Sequence, residues 1–338
     1  MNITEMAKAA AQSDSQQNAY VSGRILQYDA DFGAYECGCW LDESVDSNIR
    51  ALKKHIEIKR KLAGAQFVNN HITLGMKGGR EQIATVKPYQ AQRSGQNVEV
   101  KERVAILRNF LVSYQTENVT PVVNLLQEAD DSMTQHQHKM LHSGIENAKN
   151  LSVIMSGDKD LNMAMGLHCD QKTGKMVRAN GYGTVSYQDV GNLQPKLVGY
   201  GTGWFWHQLL MGDTADNIAG LPKISGKLAN RYLPTKTYNP KRKALQCGEA
   251  KAVAILKGVR TDREAAKRCL EAYQGHYTNA VEMLVEQAFL LWMRRTGKPS
   301  DVINFLQESG LACGFSGAQV TALKEFKRLA YIQIKAGV

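Results

Sequence analysis

A chain of 338 residues with 42 lysines and arginines against 32 acids carries a formal charge of +10, which suits a polyanionic partner and a body large enough for two domains. No apolar run approaches the roughly 18 residues a membrane span needs, and the start lacks a charged-then-apolar leader with a cleavage site, so a membrane protein or one secreted by that route is not expected. Cys37, Cys39, Cys169, Cys247, Cys269 and Cys313 show neither CxxC spacing nor a framework pattern, and are expected as reduced thiols in the cytoplasm.

In chain order, residues 1–22 are rich in Ala, Gln, Ser and Asn without a sustained apolar period, and predict a flexible tail. Arg24–Tyr28 then reads as a short strand, with Asp29 and Asp31 directly behind it. Ile49, Leu52, Ile56 and Leu62 recur at helical spacing among lysines within Leu41–Leu62, and Phe67–Leu74 predicts a second strand. Gly75 to Arg93 is rich in glycine and cations, with Lys77, Arg80, Lys87 and Arg93 spread around Tyr89; as a set they are candidates for nucleic-acid backbone contacts.

Val100, Val104, Leu107, Leu111 and Tyr114 predict a basic amphipathic helix. After Pro121 and its apolar run, Glu128, Asp130 and Asp131 open a helix expected to reach about His142. The positive end of a helix dipole helps keep such closely spaced carboxylates ionised. His136, His138 and His142 lie further along, among glutamines, and are expected at the surface.

Val153–Met155 has the length and branching of a buried strand, and it stops at Ser156-Gly157 with Asp158 and Asp160 behind it. This repeats the grammar of the first strand. If the two strands are parallel, both aspartate pairs fall on one edge of one sheet, the edge where open parallel sheets gather ligands. Alternation within Gly181–Tyr200 suggests a hairpin or two edge strands, and Trp204, Trp206, Leu209 and Leu210 predict a helix packed by aromatics that delivers Asp213 and Asp216. Gly220, Pro222 and Gly226 suggest a tight turn before a helix near Lys227, a place where backbone N–H groups can cradle a phosphate. Amphipathic helices are expected over residues 249–256, 262–273, 278–295, 300–308 and 318–336.

Eight carboxylates thus stand at strand ends or helix starts: Asp29, Glu128, Asp130, Asp131, Asp158, Asp160, Asp213 and Asp216. Their mutual repulsion calls for cations, and oxygen-only ligands favour magnesium or manganese over zinc. Two-metal hydrolysis of phosphodiesters is the chemistry implied, with these eight as metal ligands and catalytic groups.

The segments YDAD (Tyr28–Asp31), EADD (Glu128–Asp131), SGDKDL (Ser156–Leu161) and GDTADNI (Gly212–Ile218), in this order, resemble the 5′-nuclease superfamily. The likeness is to bacteriophage 5′-to-3′ exonucleases and flap endonucleases, and to the 5′-3′ exonuclease domain of bacterial DNA polymerase I, over about residues 24–232. It implies an α/β core with a central, mostly parallel sheet flanked by helices (PIN-like), a helical arch, and a C-terminal helical region with a helix-hairpin-helix element. The division expected is residues 23–203 for the nuclease core and 204–338 for the DNA-binding region.

The resemblance further implies removal of DNA 5′ ends, flaps or RNA primers during phage replication, with two or more Mg2+ ions for which Mn2+ substitutes. It implies DNA as partner, with RNA–DNA hybrids and replication proteins as further partners, and the host cytoplasm as location. DNA contacts are expected at Arg80, Lys87, Tyr89, Arg93, Gly220, Lys223, Gly226 and Lys227, with a monovalent cation at the hairpin.

Three departures stand out. His71–Gly79 holds no carboxylate where the family places one; the family's Tyr-Lys reads Tyr89-Gln90; and Lys223 and Ser225 replace two hairpin glycines. Two other readings compete: a PIN-type endoribonuclease, which would not need residues 212–227 or the long basic helical tail, and a non-catalytic structure-specific DNA-binding protein, which would not need the acidic set.

Overall fold

The computed structural model describes residues 18–91, 95, 97–188, 195–221 and 247–335. The chain divides into two units: residues 1–76, 95–179 and 295–297 form the first, and residues 77–94, 180–294 and 298–338 the second.

The first unit is built on a six-stranded sheet of order β3-β2-β1-β4-β5-β6. Its strands are β1 (Val21–Asp29), β2 (Ala65–Thr73), β3 (Val119–Asn124), β4 (Ser152–Met155), β5 (Gly166–Cys169) and β6 (Met176–Ala179). β1 to β5 are parallel and β6 is antiparallel. The registers Tyr28 with Met155 and Asp29 with His71 bring the carboxyl ends of β1, β2 and β4 level. β1 runs longer than its apolar core because Val21 and Arg24 are also tied down, the latter donating to the carbonyls of Ala63 and Asn150.

Alternation gives this sheet two different faces. Leu26, Tyr28, Val68, Ile72, Val153 and Met155 enter an apolar core shared with helices α1 (Ala30–Gly38), α2 (Val45–Leu62) and α3 (Val98–Ser113). Gln27, Asn69 and His71 occupy alternate positions and meet helix α4 (Ala129–Leu141). His71 Nε2 donates to Gln27 Oε1 at 2.8 Å, and its Nδ1 accepts from Ser132 Oγ at 2.9 Å, an arrangement that requires a neutral ring. Burial pushes the His71 pKa well below the ordinary histidine value, in keeping with that state. His136 is half-buried and stacks edge-on against His71, with ring centroids 5.0 Å apart, so the surface position expected for it is corrected. The helix packs its polar flank onto a polar sheet face.

The second unit holds a one-turn helix (Arg80–Ile83), the hairpin β7 (Thr184–Gln188) and β8 (Lys196–Tyr200), and six further helices among its described residues. These are α5 (Thr202–Met211), α6 (Glu249–Ile255), α7 (Asp262–Gln274), α8 (Ala280–Leu291), α9 (Asp301–Glu308) and α10 (Gly317–Lys335). The tryptophans are core: Trp292 stacks on Phe305 at 4.2 Å between centroids, and Phe205 and Trp206 pack against the same ring. Their polar edges are satisfied too, Trp206 Nε1 donating to Asp262 and Trp292 Nε1 to Asp301. All six cysteines are free, and no helix among the described residues is long and apolar enough to cross a membrane.

Candidate metal centre

Six of the eight predicted carboxylates belong to the first unit, and each follows a strand on the carboxyl edge of the sheet. Asp29 ends β1 and caps α1, its Oδ1 accepting from the Phe32 N–H at 3.0 Å. Its Oδ2 accepts from Ser156 Oγ at 2.7 Å, and Ser156 in turn accepts from the Asp158 N–H at 2.9 Å. Asp158 caps a short 3-10 turn (Lys159–Met163), with the Asp160 N–H on its Oδ1 at 2.8 Å. Glu128 is the N-cap of α4, and Asp130 and Asp131 lie in that helix's first turn. The turn is fastened to β2, since Ala129 N–H donates to Thr73 Oγ1 at 2.8 Å.

The electrostatics report how closely these acids crowd. Burial, and then the charges of Asp29, Asp158, Glu128 and Asp131, push Asp130 well above the ordinary carboxylate range. Burial followed by the Asp31 charge pushes Asp29 up to about 6, against the opposing hydrogen bonds from Ser156 and Phe32 and the charge of Arg108. Asp131 is fully buried.

Asp31, which the acid count passed over, is part of the same neighbourhood. Its Oδ2 accepts from the Thr73 N–H at 3.0 Å, and its Oδ1 lies 2.9 Å from Arg108 Nε. That second contact is an ion pair by distance, without the alignment of a hydrogen bond. The sequence signal for it was present in YDAD, two residues after Asp29. Ser156 and Thr73 carry no comparable signal, because a hydroxyl at a strand end is commonplace.

Asp213 and Asp216 lie in the second unit, where α5 ends. Gly212 and Gly220 both take the left-handed backbone, and a Cβ on Gly220 would sit 2.3 Å from the Gly212 nitrogen, so the turn between them closes only with glycine. Asp213 pairs with Ile218 through two backbone bonds, and its Oδ1 accepts from the N–H groups of Ala215 and Asp216. Asp216 accepts from Tyr89 Oη at 3.0 Å and from Gln90 Nε2 at 2.9 Å.

The predicted DNA contacts fare differently from one another. Arg80 is only 1% exposed and donates to the carbonyls of Leu290 and Trp292, at the end of α8, so its charge is turned into the interior. Tyr89 is buried with its hydroxyl on Asp216. Lys87 is exposed. The Gly220 N–H donates to Gln287 Oε1 at 2.9 Å. Arg93, Lys223, Gly226 and Lys227 lie outside the described residues.

The donor set suits a hard cation. Carboxylate oxygens are its natural ligands, and Asp130 and Asp29 are raised first by burial and then by the charges of neighbouring acids. The acids are gathered but not closed around one point: among the described residues no three His, Cys, Asp or Glu side chains stand as a finished metal-holding group. Asp29, Asp31 and Asp158 instead turn oxygens to Ser156, Phe32, Thr73, Arg108 and Asp160.

A mostly parallel sheet with helices on both faces, joined to a helical second unit, is a PIN-like α/β core with a helical region. More particularly, the fold is similar to that of two solved T5 structures. The T5 D15 protein co-crystallised with metal ions matches with a TM-score of 0.51 and 12% identity, over 91% of this chain and 99% of that one. T5 5′-exonuclease with divalent zinc ions bound matches with a TM-score of 0.50 and 13% identity over the same shares. No family model matches the chain, and no curated protein matches it.

Proposed function

We propose that this chain is a divalent-metal-dependent 5′ nuclease that hydrolyses phosphodiester bonds at DNA 5′ ends and flaps, with Mg2+ as its working metal. The observation that carries the reading is the placement of Asp29, Glu128, Asp130, Asp131 and Asp158 at the carboxyl edge of a sheet with this fold, where burial and then the four other charges push Asp130 well above the ordinary carboxylate range. Such crowding costs stability unless cations relieve it, and the T5 proteins of the same fold were crystallised with metal ions.

In the first unit Asp29, Glu128, Asp130, Asp131, Asp158 and Asp160 are the groups that would hold metal, and in the second unit Asp213 and Asp216 would do so. Bound divalent cations supply activation of a water nucleophile and neutralisation of charge at the phosphate. The chain's own residues set the stage. Ser156 favours the ionised form of the Asp29 carboxylate, because its hydroxyl donates to Oδ2, although burial outweighs it. The α4 dipole favours negative charge at Asp130 and Asp131. The His71 and Ser132 contact holds that helix start over β2. The positive balance of the whole chain favours approach of a polyanion.

Cleavage of a 5′-labelled flap, with and without Mg2+, tests the assignment. Wild type is expected to cut only with metal, and Asp158→Asn or Asp160→Asn to abolish cutting while DNA binding survives. Turnover within a few-fold of wild type in either variant would overturn it.

A further inference from the structure

In the second unit Tyr89 and Gln90 close on a single residue. The Gln90 N–H donates to the Asp216 carbonyl at 3.0 Å, Gln90 Nε2 to Asp216 Oδ1 at 2.9 Å, and Tyr89 Oη to Asp216 Oδ2 at 3.0 Å. Alongside, Asn217 Nδ2 donates to the Pro88 carbonyl at 2.8 Å, so residues 88–90 and 216–217 are laced by four bonds. Two of these residues take the left-handed backbone without being glycine, Gln90 at φ 54° and Asn217 at φ 59°. That conformation is disfavoured for a glutamine and persists where the surroundings overdetermine it. Here it is what turns the N–H and the side-chain amide of Gln90 toward the same partner.

The two side-chain donors are neutral, and the distinction matters. Each engages one oxygen of Asp216 through a hydrogen bond, which fixes the carboxylate plane and adds no formal charge beside it. A cation in place of Gln90 would form an ion pair with the same carboxylate and compete with a metal for it. Gln90 stands where the resemblance placed a lysine, so the change from cation to amide is a change in what Asp216 experiences. We propose that Gln90, with Tyr89, is a positioning residue for Asp216: it holds that carboxylate in a fixed orientation for a divalent cation. This rests on the reading of Asp216 as a metal ligand.

The test separates the two. Mn2+ titration of the DNA-free full chain, with free Mn2+ followed by electron paramagnetic resonance, reads metal affinity independently of cleavage. Gln90→Ala is expected to weaken one class of Mn2+ site by about tenfold, the usual scale for losing a partner of a metal ligand. Gln90→Lys is expected to weaken it at least as much, although it restores a cation. In an Asp216→Asn background the Gln90→Ala change is expected to alter affinity by less than about twofold, because it acts through Asp216. Tyr89→Phe, which keeps the ring and loses only the hydroxyl, should show a smaller loss of the same kind and covers the case in which a Gln90 variant does not fold.

Unchanged Mn2+ affinity in the folded Gln90 variants or in Tyr89→Phe, an undiminished loss in the Asp216→Asn background, or tighter binding by Gln90→Lys would each overturn the proposal. A wild-type chain that leaves flap DNA uncut in Mg2+, yet shows the expected Mn2+ pattern, would overturn the nuclease reading and leave the role of Gln90 standing.

Discussion

Ser156 Oγ lies 2.7 Å from Asp29 Oδ2, a hydrogen bond that joins the carboxyl end of β4 to that of β1 and links two carboxylate segments 127 residues apart. The same oxygen accepts from the Asp158 N–H, so Ser156 orients both acids at once. Because its hydroxyl donates to an ionised carboxylate, its removal should raise the Asp29 pKa further. Ser156→Ala is therefore expected to cut turnover about tenfold and to move the acid limb of the pH–rate profile upward. A profile superimposable on wild type would refute the role.

Asp130 predicts a trade of activity for stability. Its carboxylate is held above the ordinary range by burial and four neighbouring charges, so the amide of Asp130→Asn relieves repulsion in the metal-free protein. The variant is expected to unfold at a higher denaturant midpoint in EDTA, by about 1 to 2 kcal/mol, the scale of gain common when a strained functional residue is replaced. It should lose at least about two orders of magnitude in cleavage, or roughly 3 kcal/mol of transition-state stabilisation. A destabilised variant would mean that Asp130 is held by attractive contacts rather than opposed by charge.

Arg80 and Lys87 should separate cleanly. Arg80 is buried and serves the carbonyls of Leu290 and Trp292, so Arg80→Ala is expected to destabilise the chain by about 2 to 4 kcal/mol through unsatisfied acceptors and lost packing. The salt dependence of DNA binding should stay as it was. Lys87→Ala should leave the unfolding midpoint alone and flatten the salt slope, as expected when a phosphate contact disappears. Binding isotherms at four salt concentrations, with melting curves, read both. A steep-slope loss in Arg80→Ala without destabilisation would reverse the assignments.

The contrast between these residues marks where the sequence was legible. A strand followed by aspartates appears at Arg24–Asp31 and again at Val153–Asp160, and period-2 and period-3.6 patterns placed β1, β2, β4 and the helices from α2 to α10 to within a few residues. β5 and β6 escaped because each spans four residues and β5 carries a histidine, too short a stretch for any period to register. The surface position expected for His136 rested on the glutamines around it. Gln27, Asn69 and His71 make the sheet face beneath α4 polar, and only the register of β1 against β2 sets them side by side.

Arg80 and Asp216 failed to declare themselves for a related reason. A cation in a glycine-rich stretch looks solvated until a helix end more than 200 residues later supplies its acceptors. Likewise the Asp216 carboxylate looked like a ligand alone, and its holders Tyr89 and Gln90 lie over 120 residues upstream. Long-range partners of polar groups leave no local period.

The pH dependence of stability offers the sharpest quantitative check, provided it is taken as a difference. Asp29 sits at about 6 in the folded chain against an ordinary 3.8, so the folded state holds its proton more tightly than the unfolded one. Its contribution is then least unfavourable below the unfolded value and worsens as pH rises through 6. A shift of this size corresponds to about 3 kcal/mol, at about 1.4 kcal/mol per unit. The whole protein will not display that trend, because buried His55 and His168 are pushed down to about 3 and about 4, and His71 well below its usual value. Those rings take up protons on unfolding as pH falls below about 6.5, which destabilises the fold in acid and opposes Asp29.

Subtracting wild type from Asp29→Asn cancels the histidines, which both proteins share. In EDTA the variant's advantage is expected to be smallest near pH 4, to grow by about 2 to 3 kcal/mol by pH 7, and to level off above. Mg2+ should shrink that advantage at pH 7, since a cation stabilises the ionised wild-type carboxylate and has less to bind in the amide. Denaturant titrations at half-unit steps, with and without Mg2+, measure it. An advantage that stays flat from pH 4 to 7 would show that Asp29 carries no raised pKa and that the carboxylates do not crowd as described.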